Sequence, residues 1–206
     1  MKKTLSILGI TAVAAIAFTA FRPLDITPIE IGAKIPKADV KMKDVMSGKD
    51  VSLTEAKKDK GLLVIFSCNT CPFVIANEVR IKEFSDKAVK MNIGVAIVNS
   101  NEARRTEDDS PDAMKKYGEK QGFTCAYVID PKSAMADAFG ATRTPECFLF
   151  DKNGVLVYHG AIDDNSKDAT AATAHYLKDA LEALDAGKEV KVKTSRSIGC
   201  SIKRAE

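Results

Sequence analysis

The sequence predicts an α/β fold, a central mixed sheet covered on both faces by helices, and three observations predict it. Two continuous apolar runs, Leu-Leu-Val-Ile-Phe at 62–66 and Ile-Gly-Val-Ala-Ile-Val at 93–98, flank a stretch with helical periodicity. That is the pattern of a strand–helix–strand unit with parallel strands buried on both faces. Further on, 147–150 and 155–159 are extended runs joined by Asp151-Lys152-Asn153-Gly154, a hairpin signal that adds antiparallel strands. A last helical stretch, 169–186, ends at Gly187 and supplies another layer.

The other elements follow in chain order. Lys2 and Lys3 precede an apolar run over 5–17 that closes on Ala15-Ile16-Ala17, the form of a secretory signal with cleavage at 17 or as late as 20. The alternative is a retained anchor, for which the run is short. Residues 21–38 hold Pro23, Pro28 and Pro36 with little periodicity and read as a linker. The folded domain is expected over 39–190, with 191–206 a tail packing back on it. Within the domain, 40–45 alternates apolar and charged residues, as an edge strand does. Gly48 marks a turn, and Ser52 with Glu55 forms a capping box after the short extended piece 51–53. The helix after the first buried strand is predicted over 72–90, because Val74, Ile81, Phe84 and Ala88 lie on one face. Residues 99–109 are polar and form a loop. Ser110-Pro111-Asp112 then caps and starts a helix to about 120, 127–129 is a strand fragment, and 133–139 is a short helix stopped by Gly140.

With Lys2 and Lys3 removed, the 31 basic residues fall to 29 against 28 acidic ones. A charge this close to neutral leaves no electrostatic footprint for nucleic acid. No membrane partner is expected after signal cleavage, and the protein is expected in the periplasm or otherwise exported. A chain of 206 residues buries a full core without disulfide staples, so its 5 cysteines point to reactivity. Calcium is not expected at Glu107–Asp112, which lacks the spacing and central glycine of a calcium loop.

The chemistry is expected at Cys68-Asn69-Thr70-Cys71, between a buried strand and a helix start. Pro72 suits the first helical position, which makes Cys71 the N-cap. Unpaired amides and the helix dipole there favour a thiolate, so the thiol pKa is expected below its free value of about 8.5. Two cysteines cannot by themselves close a tetrahedral zinc site, and a C-x-x-C of this kind after a strand reads as a redox pair. Cys125 and Cys147, in or beside strands, read as small buried apolar residues.

The strings Phe66-Ser67-Cys68-Asn69-Thr70-Cys71-Pro72-Phe73-Val74, Asn99-Ser100-Asn101, Glu107-Asp108-Asp109-Ser110-Pro111, Thr144-Pro145-Glu146, Phe148-Leu149-Phe150-Asp151 and Ser197-Ile198-Gly199-Cys200-Ser201-Ile202-Lys203 together resemble the peroxiredoxin-like branch of the alkyl hydroperoxide reductase/thiol-specific antioxidant (redoxin) family. The resemblance implies a thioredoxin-like fold with redox cysteines. It also implies that Thr144-Pro145 is the threonine–cis-proline loop facing them. Arg143 would then stabilise a thiolate or a polarised peroxide, or stand solvated. Glu146 would carry a proton or face solvent. Cys200 would be a resolving thiol or a packed tail residue.

Two registers stay open for the nucleophile: Cys68 as in thioredoxins, or Cys71, followed by proline as in peroxiredoxins, with helix physics leaning to Cys71. Peroxiredoxins place a proline and a threonine or serine before that cysteine. Here those positions are Val64 and Cys68 counted from Cys71, or Gly61 and Ile65 counted from Cys68, so slow peroxide reduction is implied. The expected partners are protein or small-molecule thiols and disulfides, hydroperoxides, and an electron-donor redox protein, with no cofactor. The alternative is a copper metallochaperone of the same fold, using the cysteine pair and His159 or His175, although such proteins usually space their cysteines by three residues.

Overall fold

The structure, a computed structural model, describes residues 26–205. The signal segment and residues 21–25 of the expected linker lie outside that range. The strands are β1 (Met42–Lys43), β2 (Asp50–Val51), β3 (Gly61–Ser67), β4 (Ile93–Asn99), β5 (Ala126–Ile129), β6 (Arg143–Thr144), β7 (Glu146–Asp151), β8 (Leu156–Gly160) and β9 (Cys200–Ser201). The α-helices are α1 (Leu53–Ala56), α2 (Pro72–Ile75), α3 (Glu78–Lys90), α4 (Pro111–Gln121), α5 (Ala134–Phe139) and α6 (Tyr176–Asp185).

The main sheet runs β5-β4-β3-β7-β8, with β3, β4 and β5 parallel and β7 antiparallel to both β3 and β8. It is the predicted mixed sheet. Because successive side chains in a strand point to opposite faces, each strand feeds two cores. Leu63, Ile65, Ile93, Val95, Ile97, Cys147 and Leu149 meet Ile81 and Phe84 of α3 and Leu177 and Leu181 of α6. Leu62, Val64, Phe66, Ala96, Val98, Phe148 and Phe150 meet Leu53 of α1 and Met135 and Phe139 of α5. On that second face Phe66, Phe139 and Phe148 stand edge to face, with centroids 5.2–5.6 Å apart.

Local signals produced the elements they promised. Ser52 and Glu55 cap each other reciprocally. The Ser110 side chain accepts from the Ala113 amide at the start of α4, and Gly140 ends α5 in the left-handed region at φ 66°. In the β7–β8 turn, the Asp151 carboxylate accepts from the Asn153 and Val155 amides.

Three expectations need correction. The helix predicted over 72–90 is broken into α2 and α3. The Asn77 side chain donates to the carbonyls of Phe73 and Ser166, and its backbone leaves the helix at φ −108°, ψ 2°. A side-chain amide competing for backbone partners opens the ladder there. The last helix begins at Tyr176 rather than Ala169. Asp164 takes up the amide and hydroxyl of Thr173, Asp168 takes up those of Thr170, and 169–171 is a lone 3₁₀ turn. Finally, residues 26–38 are not a free tether. Ile29 donates to the Phe139 carbonyl, Gly32 to that of Leu156 and Ile35 to that of Gly154, while Ile29, Ile31 and Ile35 pack on the second core.

The segment that breaks the helix is held by a buried ion pair. Arg80 of α3 binds Asp163 and donates to the carbonyls of Asn165 and Ala76. Asp163→Ala strands a buried guanidinium and is expected to cost about 3–5 kcal/mol in denaturant unfolding. A loss below about 0.5 kcal/mol, the range of neutral surface changes, would show that the pair does not hold this segment.

Candidate active site

Strand β3 delivers Cys68 to the end of the sheet, and Pro72 starts α2 with Cys71 as its N-cap. Opposite them, β6 and β7 are joined through Pro145, and the Thr144–Pro145 peptide bond is cis. Thr144 faces both cysteines. Its hydroxyl lies 3.5 Å from Cys68 Sγ, and its carbonyl oxygen 3.3 Å from Cys71 Sγ.

Cys71 is disulfide-bonded to Cys200, 129 residues away, with Cα atoms 6.1 Å apart. That separation is one a disulfide bridges without backbone movement. Cys200 arrives on β9, which pairs antiparallel with β6: Arg143 faces Ser201 and Thr144 faces Cys200. Cys68, Cys125 and Cys147 are free thiols. The C-x-x-C cysteines are therefore adjacent but not bonded to each other.

Cys68 is 2 % exposed, and burial pushes its thiol up. The Thr144 hydroxyl and the backbone amides of Cys71 and Thr70 oppose that rise, while the Asp109 carboxylate adds to it. The N-cap sulfur, for which the lowered thiol is expected, is Cys71, and it is held in the disulfide. Cys147 is fully buried, and burial pushes its thiol up. The half-buried Cys125 is pushed up to about 12 for the same reason.

Asp109 escaped the sequence reading as a site residue. It is 0 % exposed and accepts from the Asn69 amide (2.9 Å), Asn99 Nδ2 (2.7 Å) and Asn101 Nδ2 (2.9 Å). The Tyr127 hydroxyl donates to Asn69 Oδ1 at 2.7 Å, and Arg105 donates to the carbonyls of Asn99 and Asp109. This network ties the turn between the cysteines to the end of β4. Its signal was present in the strings 99–101 and 107–111, but nothing local shows that a carboxylate at 109 folds back on residue 69.

Arg143 does not reach the cysteines. It is exposed, and its guanidinium is directed at the Gly199 carbonyl at 3.5 Å, because β6 alternates and points Thr144 inward instead. Glu146 is not solvated, and its hydrogen bonds do not go to Cys68, Cys71 or Cys200. It is 2 % exposed and accepts from the Thr142 and Arg143 amides, both at 2.9 Å, and its other oxygen lies 2.7 Å from His159 Nε2. It holds the loop that carries Thr144. His159 also stacks on Phe148, and His175 stands at the start of α6, so neither is drawn to the cysteine pair. Among the described residues, no group of three or more His, Cys, Asp or Glu side chains gathers as a metal site. No described helix is long and apolar enough to cross a membrane.

A family model described as Redoxin matches residues 30–175. No curated protein matches. An uncharacterized conserved protein from Geobacillus kaustophilus is 32% identical, with a TM-score of 0.79 over 85% of this chain and 93% of that one. A hypothetical protein from Sinorhizobium meliloti 1021 is 31% identical, with a TM-score of 0.78 over 87% of this chain and 97% of that one. The thioredoxin domain of a thiol-disulfide oxidoreductase from Bacteroides vulgatus shares the fold at 19% identity, with a TM-score of 0.53 over 64% of this chain and 88% of that one.

Two substitutions should move the Cys68 thiol in opposite directions in protein where Cys68 is the sole cysteine. Thr144→Val removes a hydrogen bond that stabilises the thiolate and should raise the pKa. Asp109→Asn removes a repelling charge and should lower it. The pH dependence of alkylation measures both, and shifts of the same sign would contradict the assignment.

Proposed function

This chain belongs to the redoxin family of the thioredoxin-like superfamily, and from that premise we propose that it is an exported thiol–disulfide oxidoreductase centred on Cys71. The observation that carries the reading is the Cys71–Cys200 disulfide seated against Thr144 of the cis-proline loop, with Cys68 as a free thiol against the same residue. Cys71 is then a sulfur with two partners in reach, Cys200 in the oxidised form and Cys68 as the second member of the C-x-x-C pair.

In the reduced protein the Cys71 thiolate attacks a substrate disulfide. One substrate thiolate leaves, and a mixed disulfide remains. The Cys200 thiolate then attacks Cys71 Sγ, and the second substrate thiolate leaves. Two electrons have passed to the substrate, and the protein holds its own disulfide. A thiol donor restores the dithiol by a further exchange at the Cys71–Cys200 bond. Cys68 takes the place of Cys200 when its thiol ionises, giving the Cys68–Cys71 disulfide and freeing the Cys200 thiolate. With a hydroperoxide, Cys71 attacks the terminal oxygen, alcohol or water leaves, and Cys200 condenses with the sulfenic acid to expel water.

Thr144 and Pro145 position the sulfurs, while Arg143 acts on the tail. The basic residues and apolar run at the N-terminus support export, and an oxidising compartment suits a persistent disulfide.

Serine substitution tests the roles. Cys71→Ser is expected to abolish turnover of a disulfide substrate. Cys200→Ser and Cys68→Ser are each expected to lower it, and the double change should match Cys71→Ser. Full activity without Cys71 would end the proposal. Stopped-flow oxidation by hydroperoxide is expected to be no faster than that of a simple thiolate of equal pKa. Peroxiredoxin-like rates would show that Val64 and Cys68 do not impair peroxide binding.

A further inference from the structure

The C-terminal segment does more than supply Cys200. Strand β9 fills the free edge of β6, Ile202 donates to the Thr142 carbonyl at 3.0 Å, and the Ile202 side chain is buried. The Lys203 amide donates to Asn101 Oδ1 and its carbonyl accepts from the Ala103 amide, both at 2.9 Å. Arg204 binds Asp137 and the Ala141 carbonyl, each at 2.8 Å. Upstream, residues 193 and 195 bond the backbone of His159. None of these contacts passes through the disulfide. A Cβ added at Gly199 would stand 2.2 Å from the Thr144 carbonyl oxygen, so the tail approaches this edge as closely as a backbone can. An unpaired strand edge beside a reactive sulfur is where an extended polypeptide would add itself. Here the chain occupies that edge with its own strand.

What remains open at the sulfurs is a cavity of about 190 Å³, lined by the three cysteines 68, 71 and 200 together with Asn101, Arg104 and Lys203. It is smaller than a drug-sized site of about 300 Å³ or more. No acidic side chain lines it. Glu107 pairs with Arg104 and is itself half exposed. Lys203 Nζ donates to Ser201 Oγ at 3.2 Å, and no described carboxylate lies within ion-pair distance of it.

We propose that the Cys71–Cys200 centre exchanges with small, negatively charged thiols and disulfides entering this cavity, and that the docked tail keeps polypeptide thiols out. The inference rests on the exchange function above and names its substrate class. A small thiolate attacks Sγ of Cys200, the less buried of the two cysteines; the Cys71–Cys200 bond breaks, and the Cys71 thiolate leaves. A second small thiolate attacks the bound small thiol's sulfur. The small disulfide departs, and the protein has gained two electrons as a dithiol.

The test is single-turnover reduction of the oxidised, full-length protein, read as loss of the Cys71–Cys200 cross-link. The reductants are mercaptopropionate, mercaptoethanol and cysteamine, with each rate divided by thiolate fraction, and reduced thioredoxin as the protein dithiol. At low salt mercaptopropionate should exceed mercaptoethanol by about tenfold and cysteamine should be slowest, as opposite charges attract; the spread should shrink as salt rises. Lys203→Gln and Arg104→Gln should each reduce the ratio of anionic to neutral rates. Gly199→Val, which drives the tail off Thr144, should speed thioredoxin by about tenfold or more relative to mercaptoethanol, as exposing the edge admits a polypeptide. Equal rates for the three small thiols, or thioredoxin reducing the unaltered protein as readily as the Gly199→Val protein, would overturn the inference. Resistance of the disulfide to every thiol would instead overturn the exchange function itself.

Discussion

Thr144 is the residue on which the site depends. Its hydroxyl touches Cys68, its carbonyl lies against Cys71, and its backbone pairs with the strand that carries Cys200. Two sulfurs of one turn and a third from 129 residues further along the chain are thereby measured against one residue. Thr144 is itself fixed from behind: the buried Glu146 carboxylate gathers the amides of Thr142 and Arg143, and His159 holds that carboxylate from β8. A buried carboxylate is tolerated there because its lone pairs are satisfied. Fixing Thr144 fixes where the three sulfurs stand around it.

The three sulfurs are not equivalent, and burial is the cause. Cys68 faces a carboxylate network and little solvent, which disfavours its thiolate. Cys71, 4 % exposed, is locked at the start of α2, while Cys200 sits on a half-buried strand at the surface. Exposure therefore falls from Cys200 to Cys71 and Cys68. The sheet makes this order possible. Strand β3, buried on both faces and bracketed by β4 and β7, is an unyielding platform for the C-x-x-C turn, whereas β6 and β9 form a separate two-stranded ribbon at the rim.

Much of this was legible in the sequence where the determinants are local. The apolar runs of β3 and β4, the Ser52 and Ser110 caps, the left-handed stop at Gly140 and the β7–β8 hairpin each follow from a few neighbouring residues. The cysteine motif and Thr144-Pro145 were legible through chain order and resemblance. What escaped was long-range. Asn77 breaks a helix because of a carbonyl at Ser166, far along the chain. Asp109 is a site residue because it folds back on Asn69. Arg143 points away from the sulfurs because the pleat of β6 sends Thr144 inward. The tail could be suspected from the glycine and small residues around Cys200, but its pairing with Cys71 depends on β6 accepting β9 as a partner, which no sequence pattern announces.

The central claim is that Cys71 and Cys200, not Cys68 and Cys71, form the resting disulfide. Proteolysis of the oxidised protein under acidic, non-reducing conditions, with free thiols blocked beforehand, tests it most directly. The account predicts a cross-linked peptide pair containing Cys71 and Cys200, with Cys68, Cys125 and Cys147 carrying the blocking group. A peptide in which Cys68 and Cys71 are bonded, with Cys200 blocked, would contradict it.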